Sequence, residues 1–339
     1  MNILITGGAG FIGSAFVRNI KKWQPQAKVK ILDSLTYAGD RSRIENAITS
    51  QEIEFIQASI TDENAVAKTL KNTDVVYHFA AETHVDRSLL NASAFFETNC
   101  HGTDTLIKCA IQAKVQKFVH VSTDEVYGAC AQGKFNEAAP LQPTNPYSIS
   151  KAASEWLVLN AYRQSGLPVI ITRGSNTYGP YQYPEKIVPL FVSNLLNNQK
   201  IPLYGDGMQE RDWIHADDHA QAIYFVSQKG KIGEIYNIPG NHALTNKALT
   251  QFLLRALKKD ESYIHYVSDR LGHDRRYALD GAKINALGWQ PQLTFESAME
   301  ETVRWYQDNQ TWLTQIRDKQ NAFKDYYRQQ YSARLEKIS

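Results

Sequence analysis

Tyr147 and Lys151 stand four residues apart, a spacing that puts both side chains on one face of a helix. A phenol of ordinary acidity, with a pKa near 10, is no base at neutral pH. An adjacent ammonium, joined by the positive charge of a bound oxidant, lowers that value. Tyr147 then takes the proton of an alcohol while a hydride leaves the same carbon, with Thr123 holding the oxygen. A Y-x-x-x-K match is weak by itself in a chain with 18 tyrosines. Here it occurs once, downstream of Ser122-Thr123-Asp124-Glu125. Plain alcohol oxidation has no use for the two carboxyl groups of Asp124 and Glu125. Side by side they imply further proton transfer, one as acid and the other as base.

The hydride acceptor is written at the other end of the chain. Gly7-Gly8-Ala9-Gly10-Phe11-Ile12-Gly13 follows an apolar run and opens a helical pattern, and Asp33 stands 20 residues after Gly13. Glycines there allow a tight turn and close backbone approach to a pyrophosphate, which meets the N–H groups of the next helix. In that context the glycines read as a dinucleotide fingerprint. Asp33 would accept from the adenosine ribose hydroxyls and repel a 2′-phosphate, so NAD is expected in preference to NADP. Arg41 and Arg43 nearby keep that preference slightly open. Gly7, Gly10, Phe11, Ile12, Gly13, Asp33, Ser59, Ile60 and Ala80, with Tyr147 and Lys151, make the expected coenzyme site.

Positioning these groups needs a parallel sheet. Apolar, β-branched runs recur at 2–6, 29–33, 53–57, 74–79, 117–122 and 168–173, near-continuous in hydrophobicity as strands buried on both faces are. Segments of helical period lie between them, at 12–22, 92–113 and 146–165. That alternation predicts an α/β fold, a doubly wound parallel Rossmann sheet with a smaller, interleaved C-terminal substrate-binding domain. The expected division is 1–173, joined by about 213–240, for the coenzyme, and 174–339 mainly for the substrate. Prolines 180, 184, 189 and 202 break up the region after Arg173, leaving a helix near 187–197. Short strands at 235–238 and 263–267, helices at 246–258 and 297–309, and a docked or frayed tail at 321–339 complete the expectation.

Composition excludes several other classes. In 339 residues, Lys+Arg 37 nearly balance Asp+Glu 35, the wrong charge for a protein living on nucleic acid or anionic membrane. No run approaches the roughly 18 to 20 apolar residues that span a bilayer. The N-terminus has no basic leader and is read as no signal peptide. Three cysteines without a CxxC pair fit a reducing cytoplasm, and no ligand spacing calls for a metal.

Eight stretches then carry a resemblance. They are TGGAGFIGS (6–14), LTYAGD (35–40), HFAAETHVDRS (78–88), VSTDEVYG (121–128), PYSISKAASE (146–155), SNTYGPYQYPEKIVP (175–189), YGDGMQERDWIHADDHA (204–220) and DRLGHDRRYALD (269–280). Spread in order over nearly the whole chain, they resemble the extended short-chain dehydrogenase/reductase family, in its sugar-nucleotide dehydratase branch. The resemblance implies a nucleoside-diphosphate sugar substrate, dTDP-glucose, oxidised at C4, stripped of water across C5–C6 and reduced again at C6. Glu125 would remove the C5 proton and Asp124, protonated, would release the C6 hydroxyl as water. It also implies that Asn176, Arg211, Arg270 and His273 meet the diphosphate, that Tyr204 stacks on the base and that Asn246 lines the nucleotide site. His84 and Lys186 join that substrate-binding group, and His215 is read as structural. A homodimer through a four-helix bundle is implied too, and Leu106, Ile111, Trp156, Leu157 and Leu159 are the apolar positions expected to serve it.

The chain departs from the family pattern at four places. Ser59 replaces an Asp, Gly174 a Cys, Thr177 a second Asn and Leu271 a proline. Alternatives to the main reading are a 4,6-dehydratase of UDP- or CDP-glucose, an NAD-dependent UDP-sugar 4-epimerase or decarboxylase, and a non-enzymatic NAD-binding regulator.

Overall fold

In the computed structural model, which describes residues 1–269 and 272–318, seven parallel strands form the central sheet. They are β1 (Asn2–Thr6), β2 (Lys28–Asp33), β3 (Ile53–Gln57), β4 (Val75–His78), β5 (Lys117–Thr123), β6 (Val169–Gly174) and β10 (Ile235–Ile238), in the order β10-β6-β5-β4-β1-β2-β3. Each of the six expected strands is present, because runs of Val, Ile and Leu buried on both faces favour a central parallel strand. Helices cover both faces. Phe11–Trp23 and Ala216–Lys229 bury Phe16, Ile20, Ala220 and Ile223 with one face. Thr103–Gln112 and Pro146–Ser165 bury Leu106, Ala110, Val158 and Ala161 with the other. The order reverses between β1 and β4, where a doubly wound sheet opens a crevice at its carboxyl edge.

A second core forms beyond β6. It gathers Tyr178, Phe191, Trp213, Leu249, Phe295, Met299 and Tyr306. β7 (Asn176–Tyr178), β9 (Glu210–His215) and β11 (Ala243–Thr245) make a three-stranded sheet there, and β8 (Ile201–Tyr204) pairs with β12 (Ile264–Val267). The turn-rich 204–212 segment thus contains the start of β9, which sequence periodicity missed. So did the helix Ala216–Lys229, whose polar face is dense enough to mask its apolar stripe. Arg270, Leu271 and the 321–339 tail lie outside the described residues.

Two expectations need correction. The segment 92–113 is not one α-helix: Ala92–Phe96 and Thr103–Gln112 flank a π-helical stretch, Glu97–Gly102. The wider turn aims Asn99 inward, where its amide bonds the backbone of Glu82 and the Ser150 hydroxyl at 2.8 Å. Second, Leu106 is fully buried in this chain's own core, and Ile111, Leu157 and Leu159 pack against it. Of the five positions expected to serve a dimer, only Trp156 is exposed.

The helix carrying the tyrosine and lysine is bolted to the sheet by a buried ion pair. Arg173 on β6 donates Nη2 to Glu155 Oε2 at 2.6 Å and Nε to both carboxylate oxygens at 3.1 Å, while its Nη1 reaches the Tyr127 hydroxyl at 2.6 Å. Removing one member leaves the other charge buried and alone, which costs about 3–5 kcal/mol. Glu155→Gln is therefore expected to lower unfolding free energy by about 3 kcal/mol in a denaturant titration. A loss below about 1 kcal/mol would show the pair to be solvated rather than buried.

Candidate active site

The glycine loop sits at the sheet's switch point. Gly7 adopts φ +71°, and a Cβ there would approach the backbone nitrogen of Ala80, beyond β4, to 2.5 Å. A Cβ on Gly13 would fall on the Gly7 carbonyl oxygen. Helix Phe11–Trp23 starts at Gly10 with no side-chain cap, so its first N–H groups face the loop, as an anion site requires. Asp33, at the end of β2, accepts from Ala9 N at 2.9 Å and Leu35 N at 2.8 Å. Each carboxylate oxygen keeps lone pairs for a ribose. Arg43 is buried and donates to the carbonyls of Ala9, Ala38 and Tyr181, so it braces this loop; Arg41 pairs with Glu45 at the surface.

From this loop a cavity of about 400 Å³ runs along the carboxyl edge of the sheet. Gly7, Gly10, Phe11, Ile12, Gly13, Asp33, Ser59, Ile60 and Ala80 line one end. Thr123, Asp124, Glu125, Tyr147, Lys151, Asn176 and Lys186 line the other. Residues from the first strands and from the middle of the chain therefore share one chamber. The glycine cradle, the uncapped helix and the Asp33 carboxylate fit a dinucleotide with its pyrophosphate on the helix and its ribose on Asp33. Asn176 Oδ1, Asp124 Oδ2 and Ser122 Oγ are buried there without a hydrogen-bond partner among the described residues. Buried polar atoms of this kind are costly unless a ligand completes them.

Local structure sets the candidate catalytic groups. β5 ends at Thr123, which caps the 3-10 turn Asp124–Tyr127 by accepting from Glu125 N at 3.3 Å. Its hydroxyl also bonds Asp124 Oδ1 at 3.3 Å. Asn145 caps helix Pro146–Ser165 through a reciprocal pair of bonds with Ser148, and Pro146 at the first helical position presets its start. Tyr147 and Lys151 then fall in the first two turns, both buried.

The environment separates their acidities. Burial, then the neighbouring Glu125, pushes the Asp124 carboxyl well above the usual range, with Arg211 pulling the other way. Both effects favour the protonated carboxyl, the state an acid needs. Lys151 donates Nζ to Val121 O at 2.8 Å, and burial pushes it down to about 8. Burial also pushes Tyr147 up, reinforced by Glu125 and opposed by a hydrogen bond from Thr123. The lowering expected from the spacing needs the positive charge of a bound coenzyme together with Lys151, whose Nζ meets the Val121 carbonyl.

A lowered lysine gives a signed prediction. Between about 8 and the free value near 10.5 the folded chain binds fewer protons at Lys151 than the unfolded chain. Its unfavourable contribution is complete below about pH 8 and is relieved as pH rises through that window. Comparing melting of Lys151→Met with the parent from neutral to alkaline pH checks this. The variant should gain most at neutral pH, and an identical pH slope in both proteins would refute it.

The remaining substrate candidates lie beside the chamber rather than in its wall. Tyr204, at the end of β8, contacts the His273 ring edge-on at 6.1 Å and bonds Asp86 at 3.2 Å. Arg211, on β9, covers the Tyr277 ring at 4.1 Å and donates to Asp274 O at 2.9 Å. Asn246 begins helix Asn246–Ala256, and its backbone N–H donates to Gln209 O at 2.9 Å. His273 bonds Asp269 at 2.6 Å. Arg270 falls outside the described residues. His84 caps helix Val85–Leu90, is buried, is pushed down to about 4 by that burial, and has Nε2 3.9 Å from Glu185 Oε1. His215 caps Ala216–Lys229.

Sequence reasoning missed Glu82, Glu185 and His219, all in the wall. Glu185 accepts from Tyr37 at 3.0 Å and from Arg87 at 2.7 Å. Its signal was the PYQYPEK stretch, read for its lysine alone. Among the described residues no group of His, Cys, Asp and Glu is arranged to hold a metal ion.

Comparison with known proteins adds the following. The model of the GDP-mannose 4,6-dehydratase family matches residues 4–302. A dTDP-glucose 4,6-dehydratase of Streptomyces antibioticus is 46% identical over 318 residues, 92% of this chain and 94% of that protein. The dTDP-glucose 4,6-dehydratase 1 of Escherichia coli K12 is 43% identical over 363 residues, 98% of this chain and 100% of its own. The crystal structure of DesIV, a dTDP-glucose 4,6-dehydratase of Streptomyces venezuelae with NAD and dTDP bound, superposes with a TM-score of 0.92. It is 48% identical and covers 93% of this chain and 100% of its own. A UDP-glucose 4-epimerase of Thermotoga maritima shares the fold at a TM-score of 0.85 and 29% identity, covering 91% of this chain and 100% of its own.

Proposed function

The chain belongs to the GDP-mannose 4,6-dehydratase family, and from that premise we propose that it converts dTDP-glucose to dTDP-4-keto-6-deoxyglucose and water. The protein is an NAD-dependent hydro-lyase. Held by the glycine loop and Asp33, NAD would supply a reversible store for the C4 hydride, which ends on C6, so the coenzyme would not be consumed. Everything else falls to side chains. Tyr147 removes the proton of the C4 hydroxyl, and Thr123 holds that oxygen. The ketone formed at C4 makes the C5 proton acidic, because the resulting anion is an enolate. Glu125 takes that proton. The C6–O bond breaks as Asp124 gives its proton to the departing hydroxyl, releasing water. Glu125 gives the proton back to C5 as C6 is reduced.

The observation that carries the reading is the buried Asp124 beside Glu125, its carboxyl pushed up by burial and by that neighbour, in one chamber with Tyr147 and Lys151. An epimerase keeps the C6 oxygen and has no need of the pair. Incubation with dTDP-, UDP- and CDP-glucose, read by loss of water in the product mass and by its keto group, tests the proposal. Dehydration of dTDP-glucose is expected first. A product that keeps its C6 oxygen would refute it.

Coenzyme binding is assigned to 1–173 with about 213–240, and sugar-nucleotide binding mainly to the rest. The support is that β10 completes the large sheet and Ala216, Ile223 and Tyr236 join its core, while Tyr178, Phe191, Leu249 and Phe295 build the second. Tyr204, Arg211, Asn246 and His273, with Arg270, are assigned to the nucleotide. Among the described residues no helix is long and apolar enough to cross a membrane, and free Cys100, Cys109 and Cys130 support a cytoplasmic setting. A homodimer is supported by Leu89, Leu90, Phe96, Ile149 and Trp156, exposed on three adjoining helices. Trp156→Glu should shift the protein to half its mass in sedimentation, and an unchanged mass would reject that surface.

A further inference from the structure

We infer that His219 is a ligand-binding residue, its unprotonated Nε2 accepting a hydrogen bond from an N–H or O–H of the coenzyme or the sugar. The inference rests on the reading of the chamber given above. His219 lies in the first turns of helix Ala216–Lys229, 2% exposed, with its ring in the chamber wall. It packs against Gly174, the last residue of β6. A Cβ at Gly174 would land on Cε1 and Nε2 of the ring. The missing side chain is what admits the imidazole to the wall. Gly174 pairs in register with Thr123 across the sheet, so the ring stands close to the catalytic strand end.

The hydrogen bonds set the tautomer. Thr177 Oγ1 lies 3.2 Å from Ser175 O, to which it donates its only proton, and 2.8 Å from His219 Nδ1. Nδ1–H donating to Thr177 is the tautomer that satisfies both contacts at once, because Thr177 then keeps its proton for Ser175. Burial pushes the ring down to about 4, so it carries one proton at neutral pH and Nε2 carries none. Among the described residues Nε2 has no partner. A buried acceptor without a donor is unfavourable, and its place in the chamber wall says where the donor comes from. Gly174, Thr177 and His219 thus form one unit, which gives the two departures at 174 and 177 a shared explanation.

The test is calorimetric binding to the full-length protein, without turnover. His219→Phe keeps a ring and loses the acceptor. Gly174→Ala expels the imidazole from its seat, and His219→Gln restores an acceptor oxygen. Probes are NAD, acetylpyridine adenine dinucleotide (which lacks the amide N–H), dTDP-glucose and dTDP. If the donor is the carboxamide, His219→Phe and Gly174→Ala weaken NAD by roughly tenfold, leave the acetylpyridine analogue unchanged, and His219→Gln recovers part of the loss. If the donor is a sugar hydroxyl, the same loss falls on dTDP-glucose and spares dTDP. Less than about twofold change for both NAD and dTDP-glucose in both variants would overturn the inference. A parent that binds neither ligand would instead sink the functional reading, and this inference with it.

Discussion

Asp124→Asn is expected to oxidise C4 and then stall. Asparagine keeps the size of the side chain and an oxygen for Thr123, but has no acidic proton to give to the leaving hydroxyl. General acid catalysis of this kind is worth about 10²–10⁴-fold, so dehydration should fall by that range while reduced nicotinamide accumulates. Stopped-flow absorbance of the reduced coenzyme, alongside product mass, separates the two steps. The parent's elimination should also slow as pH rises through the raised Asp124 pKa, because the acid form is lost. Stability moves the other way. Above the ordinary carboxyl pKa the unfolded chain ionises at Asp124 more readily than the folded one, so at neutral pH burial of this group is a penalty. Asparagine removes that penalty, and the variant should melt no lower than the parent. Water loss at the parental rate would remove Asp124 from the mechanism.

Tyr147→Phe should fail one step earlier. Without the phenol the proposed base for the C4 hydroxyl proton is gone, and oxidation is expected to drop by about 10²–10⁴-fold with almost no reduced coenzyme formed. The absence of reduced nicotinamide distinguishes it from Asp124→Asn, where that species builds up. The fold by itself holds Tyr147 protonated, through burial and the Glu125 charge. The positive charge of bound NAD, with Lys151 two turns into the same helix, must overcome that. NAD affinity should change little, since the glycine loop and Asp33 are untouched. Reduced coenzyme appearing at the parental rate would exclude Tyr147 as the base.

Much of this arrangement was legible in advance because short-range rules govern it. Strands buried on both faces read as continuous Val, Ile and Leu, and all six predicted from that signal are in the sheet. The glycine loop, Asp33, Thr123 and the Tyr147–Lys151 pair sit at strand ends or within one helix, where spacing converts directly to position. The misses have equally local causes. The start of β9 lies in a Gly- and Asp-rich stretch that reads as a turn. The π-helical stretch at Glu97–Gly102 leaves no mark on periodicity, because its reason is a contact from Asn99 to Glu82 and Ser150, far away in the chain.

Residue types and spacings along the chain were sufficient for the fold and the coenzyme, and they named the candidate reacting groups that share one chamber, since each depends on neighbours within a turn or a strand. The burial that raises the Asp124 pKa, the turning of Lys151 toward Val121, the burial of Leu106 within its own subunit and the seating of His219 on Gly174 were not available from them. These depend on how much water and which charges remain around a group once distant segments pack, and on volumes that only close packing defines.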